Sequence, residues 1–190
     1  MKDPVMQHAK ETYVLYGCSY CHGLYLYARG EATDLMHSRL VGRDQDGNLI
    51  KPLLRAGIPQ TAKLSPMPQF SDLSDAQLSD LARWIHYARQ QGRYKEVMEA
   101  KDVPGDSAAG KAYYDQNCAS CHASASDVAK KAPSKAELVK PKFVDAAKSW
   151  NVNHKEDAKV AVARRQHLSL LENYTAADVA NLLAYLKTSK

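Results

Sequence analysis

Apolar residues in this chain fall at helical spacing, and no segment shows the strict alternation of a strand. Val5 to Tyr16 reads as a helix that stops near Gly17. Ala108 to Gln116 reads as another, with Asp106-Ser107 ahead of it as the cap. Two further helices follow Ser74 and Thr175, which stand where N-caps belong. Their apolar stripes are Leu78, Leu81, Ile85 and Val179, Leu182, Leu186. Thr33 to Arg39 is also expected to be helical. The pattern predicts an all-α protein.

The same order of elements occurs twice, at a shift of about 100 residues. Asp75 to Ile85 aligns with Ala176 to Leu186 at a shift of 101. Gly92 to Gly105, ending in Val103-Pro104-Gly105, reads as the linker between the copies. The expected domains are 1–91 and 106–190, joined by 92–105. A half-chain of about 90 residues buries little core of its own and commonly needs a staple, a metal or a large cofactor.

Charge narrows the function. Residues 1–100 carry 12 Lys/Arg against 11 Asp/Glu, and residues 101–190 carry 14 against 10, so the net +5 divides as +1 and +4. No basic run or basic helix face with interleaved aromatics is present, which argues against nucleic-acid binding. No run of about 18 apolar residues is present, so no membrane span is expected. Met1-Lys2-Asp3-Pro4 leads straight into the first helix without a signal peptide, and the expectation is a mature form.

The four cysteines come as Cys18-Ser19-Tyr20-Cys21-His22 and Cys118-Ala119-Ser120-Cys121-His122. Thiols at i and i+3 of a helical turn point the same way and can reach both vinyl groups on one edge of a haem. A histidine at i+4 shares that face and can pass under the ring to the iron. This is the c-type haem-attachment signature. A thioredoxin-like dithiol needs a strand–helix–strand context. A four-cysteine zinc site or a disulfide framework leaves the two histidines unexplained. Two covalently bound haem c groups are therefore expected, with thioethers at Cys18, Cys21, Cys118 and Cys121 and proximal ligands His22 and His122.

With these motifs between two helices in each half, the chain resembles a pair of tandem class I cytochrome c domains, each wrapped around a covalent haem. The terminal helices end in Trp84-Ile85 and Tyr185-Leu186, as that family's do. The resemblance implies that the terminal helices of each half cross at the haem edge. It also implies that haem is attached outside the cytoplasm, giving a periplasmic or extracellular protein. The family keeps a methionine ahead of its last helix, and Met67 in Ser65-Pro66-Met67-Pro68-Gln69-Phe70 stands there, framed by prolines that stiffen the loop. Met36 is the alternative, and the bland reading of Met67 is a core gap-filler. No methionine follows Met98. His167 occupies nearly the place of Met67 in the repeat and is the expected sixth ligand of the second iron. His154, a lysine, an open position or a group from the other domain are the alternatives.

Other residues have plainer expectations. His8 and His86 read as helix-surface or haem-edge residues, and His37 needs no function. Arg39 and Arg55 suit haem propionates. Tyr20, Tyr25 and Tyr27 and the pair Tyr113-Tyr114 read as haem packing and core. A thioether ligand raises a haem potential and a second imidazole lowers it. Electrons would thus enter at the second haem and leave from the first.

The runs Asp34 to Val41, Asp46 to Ile50, Arg55 to Pro59 and Met67 to Phe70, with His167 to Thr175, look like diheme cytochromes that accompany PQQ-dependent dehydrogenases. This implies a quinoprotein dehydrogenase as donor and an oxidase or cytochrome as acceptor. An electron-transfer protein rather than an enzyme is expected. Two other classes are a diheme peroxidase or thiosulfate-oxidising enzyme, which needs an open haem, and a conductor built by self-association.

Overall fold

A computed structural model of the chain describes residues 4–62, 65–139 and 158–189. Among these residues there are ten helices and no strand. The described residues divide into two compact units, one ending at Gly92 and the other beginning at Arg93.

In the first unit α1 (Pro4–Leu15) ends at Gly17, whose φ of +73° suits a residue without Cβ. The short α2 (Cys18–His22) carries the first cysteine motif. Tyr13 of α1 donates its hydroxyl to Gly23 O at 2.9 Å, which fixes the exit of that turn. Thr33 to Arg39 is not helical, contrary to expectation. Asp34 accepts from the His37 backbone and ring, and Ser38 caps the next helix through Val41 N–H. Short polar side chains that bond nearby backbone compete with helix in this way. The helix there is α3 (Arg39–Arg43), followed by α4 (Ile50–Ala56). Between them Asp44 caps a turn through Gly47, Leu49 and Ile50 N–H.

The last helix of this unit, α5 (Asp75–Glu99), starts with a reciprocal cap between Ser74 and Gln77. It runs past Gly92, so the first part of the expected linker is helical. Gly92 serves packing rather than chain breaking: a Cβ there would meet Met36 Cε at 2.2 Å. The core joins Ala9 and Tyr13 of α1 to Leu78, Leu81, Trp84 and Ile85 of α5, with Leu26, Met36, Val41, Ile50 and Leu54.

In the second unit α6 (Ser107–Asn117) is capped by Asp106, which accepts from Ala108 and Ala109 N–H. It packs on α10 (Ala176–Thr188), which opens with a capping box between Thr175 and Asp178. Gly110 makes the close crossing: a Cβ there would lie 1.9 Å from Asn181 O. Tyr114 and Tyr185 meet at a tilt across the same contact, with centroids 5.5 Å apart. The shorter α7 (Ala125–Lys131) and α8 (Lys135–Val139) complete this layer, and α9 (Ala158–Asn173) precedes α10.

Candidate functional site

The first unit holds a cavity of about 250 Å³ whose wall is mostly apolar. Cys18, Cys21 and His22 line it from α2, and Met67 lines it from the proline-framed segment between α4 and α5. Leu40, Val41, Ile50, Leu54, Leu81 and Ile85 contribute the apolar wall. A concave, largely apolar site on which a few polar groups converge is the usual form of a cofactor site.

The polar atoms around this cavity suit a haem iron. His22 Nδ1 lies 2.8 Å from the Thr33 carbonyl oxygen. A carbonyl only accepts, so Nδ1 carries the ring proton and Nε2 presents its lone pair. Histidine ligands of metals are oriented in this manner. Cys18 is half-buried, and burial pushes its thiol up to about 11, with Cys21 adding to the rise. The four cysteines are free thiols, one pair in each unit. Among the described residues no three His, Cys, Asp or Glu side chains converge as a metal shell.

Met67 is held by backbone. It exchanges two hydrogen bonds with Ile58, at 2.8 and 2.9 Å, in an isolated antiparallel bridge. Gly57 at φ +68° lets the two segments touch: a Cβ there would meet Met67 O at 2.7 Å. Met36, the alternative ligand, is buried in the core and does not line the cavity. Met98 lies in α5.

In the second unit the described residues bring His122 and His167 together, edge-on. Their ring centroids are 6.0 Å apart with planes at 88°. Two imidazoles sharing one first-row metal, each at about 2 Å, would stand at much this separation. His167 lies on α9, and its Nδ1 is 2.7 Å from Ala163 O. Burial lowers the His122 pKa, and His167 and Lys131 lower it further, which keeps the ring neutral as a ligand must be. Burial raises Cys118 to about 11, as for its counterpart. Tyr114 donates its hydroxyl to His122 O, the second-unit version of Tyr13 on Gly23. His154 lies outside the described residues.

Several expectations are corrected. His86 is neither on the surface nor at a cavity edge: it is 5% exposed and its Nε2 lies 2.9 Å from Asp44 Oδ2. The Asp44 turn needs a buried partner for its carboxylate, and α5 supplies one. Arg55 is turned to the Met67 loop, donating to Ser71 O and to Asp75. Tyr20, Tyr25 and Tyr27 are exposed at 80%, 73% and 43%, not core. They follow or sit within the cysteine turn, where no helical period fixes their direction. Tyr114 is buried as expected, and Tyr113 stacks on Tyr174 with centroids 5.9 Å apart. The Thr33 carbonyl, the Gly57 cradle and the Asp44–His86 pair were missed. Of these only the Asp44-Gln45-Asp46-Gly47-Asn48 turn leaves a signal in sequence.

No helix among the described residues is long and apolar enough to cross a membrane. No curated protein and no solved structure matches the chain. The family model described as cytochrome c matches residues 107–190. Residues 107–190 are thus similar to cytochrome c, a likeness that supports covalently bound haem c and electron transfer with redox partners.

Proposed function

We propose that the chain is a diheme electron carrier, with one haem c in each of the domains 1–91 and 106–190. In this reading Cys18 and Cys21 hold the first haem, and His22 and Met67 bind its iron. Cys118 and Cys121 hold the second, with His122 and His167 on its iron. The observation that carries the reading is that two cysteines, a histidine with Nε2 unprotonated and a methionine, distant in sequence, line one apolar cavity.

When bound, haem supplies a one-electron couple. The chain's residues set its behaviour. Thr33 and Ala163 carbonyls orient His22 and His167. The apolar wall excludes water and disfavours the charge of the oxidised site. An iron held by two side chains of this chain would have no place for substrate, which favours transfer over catalysis. The donor is read as a periplasmic dehydrogenase of quinoprotein type and the acceptor as a cytochrome or terminal oxidase.

Intact-mass measurement of the exported protein tests the haem count, and near-infrared magnetic circular dichroism of the oxidised form tests the ligands. The expected result is two haem additions, with one sulfur-ligated and one bis-imidazole signal. One haem addition would overturn the diheme reading. A high-spin ferric signal would replace transfer with an enzymatic reading of the peroxidase or thiosulfate-oxidising kind.

A further inference from the structure

The segment that carries Met67 has few means of holding itself in place. Pro66 and Pro68 have no N–H, so they donate nothing to any neighbour. Its seat is the end of α4. Ile58 and Met67 exchange their two backbone bonds, and Phe70 N–H donates to Leu54 O at 2.9 Å. Beyond that the arm from Phe70 to Asp75 is gripped by side chains: Tyr16 hydrogen-bonds Asp72, and Arg55 takes hold of the backbone. Arg55 Nη1 donates to Ser71 O at 3.0 Å and reaches Phe70 O at 3.4 Å, while Nη2 donates to Asp75 Oδ1 at 2.8 Å. Tyr16 meets the same arm from the cavity wall, edge-on to Phe70 with centroids 6.3 Å apart.

The parts of this grip differ in weight. Asp75 is 95% exposed, so its ion pair with Arg55 counts for little. The bonds to carbonyls come from a charged donor and bear on backbone close to Met67, where they restrict the loop directly. A planar fork suits several acceptors at once, which an ammonium does not.

We infer that Arg55 is a positioning residue for Met67: its hold on the Ser71 and Phe70 carbonyls keeps the thioether seated against competing ligands. The inference rests on the reading of Met67 as an iron ligand. Loosening the arm should leave Met67 able to bind, yet make it easier to displace.

Titration of the oxidised holoprotein with imidazole tests this, followed by loss of the near-infrared band of sulfur-ligated ferric haem. In Arg55→Met the band should persist without imidazole, and imidazole should bind the first site about tenfold more tightly, the scale of one lost charged hydrogen bond after solvent screening. Arg55→Lys keeps the charge without the fork and should fall between. Asp75→Asn should match the wild type. The bis-imidazole signal of the second site should be unchanged in all three, and thermal unfolding of the Lys variant guards against a fold defect in the Met variant. Equal imidazole affinity in wild type and both Arg55 variants, with the sulfur band intact, overturns the positioning role alone. An Asp75→Asn effect as large as that of Arg55→Met overturns the carbonyl grip. A wild-type protein without the sulfur band overturns the Met67 assignment and takes this inference with it.

Discussion

Asp44 gathers four hydrogen bonds on one carboxylate, from Gly47, Leu49 and Ile50 N–H and from His86 Nε2. Its side chain is fully buried, and burial by itself would raise the pKa. His86 and the three N–H groups outweigh that, so the net shift is downward. A folded pKa below the unfolded value, about 3.9, means the carboxylate stabilises the fold above that range. The contribution fades as pH falls through the depressed folded value. Asp44→Asn should therefore cost about 3 kcal/mol at neutral pH, because it leaves buried donors without their charged acceptor. Urea unfolding of wild type and variant should show that difference shrinking below about pH 4. A difference that stays constant down the acid range would mean the charge of Asp44 is not its source.

At the scale of elements, Gly110 sets two tendencies against each other. Glycine inside a helix costs about 1 kcal/mol relative to alanine, so propensity alone favours Gly110→Ala. Packing opposes it: the new Cβ would meet Asn181 O at 1.9 Å, Asn181 C at 2.5 Å and Tyr185 Cβ at 2.9 Å. Two of these are backbone atoms of α10 and cannot turn aside, so overlap should win and the second unit should lose roughly 2 kcal/mol or more. Thermal unfolding of the holoprotein measures this, and a stabilised Gly110→Ala would show that the crossing is looser than described. The same residue marks what sequence could and could not say. Helix starts were legible at Ser74, Asp106 and Thr175, because a cap is a local bond to the next turn. The cysteine turns were legible for the same reason. Gly110 and Gly92 were not, since what they accommodate comes from distant segments. His86 shares its helix with exposed polar residues, and nothing in its neighbours in sequence announces Asp44. The candidate site divides the same way: the cysteines and the histidines that follow them read directly from spacing, whereas the Thr33 carbonyl and the Gly57 cradle exist only once the chain has folded.

Across the whole molecule the proposed ligation makes the two halves of the repeat differ at one position. One unit places a methionine on a loop framed by prolines, and the other a histidine on a helix. Under the proposed ligation, sulfur stabilises ferrous iron more than imidazole does, so the first site should hold the higher potential. Axial ligands span about 0.8 V across haem proteins, and a Met-for-His difference should open a gap on the order of 0.1 V. The two halves also differ in charge, +1 against +4, which would raise the second potential and work against the gap. Scattered surface charge is screened beyond about 10 Å, while the ligand acts on the iron itself, so the ligand should dominate. Met67→His isolates that contribution, because it gives both sites the same ligand set while leaving surface charge alone. Potentiometric titration should show two resolved steps in the wild type. In the variant the upper step should fall toward the lower one, leaving a single broad transition. Should the upper step stay where it was, the gap would have to come from the protein surroundings, and electron flow from the second site to the first would lose its stated cause.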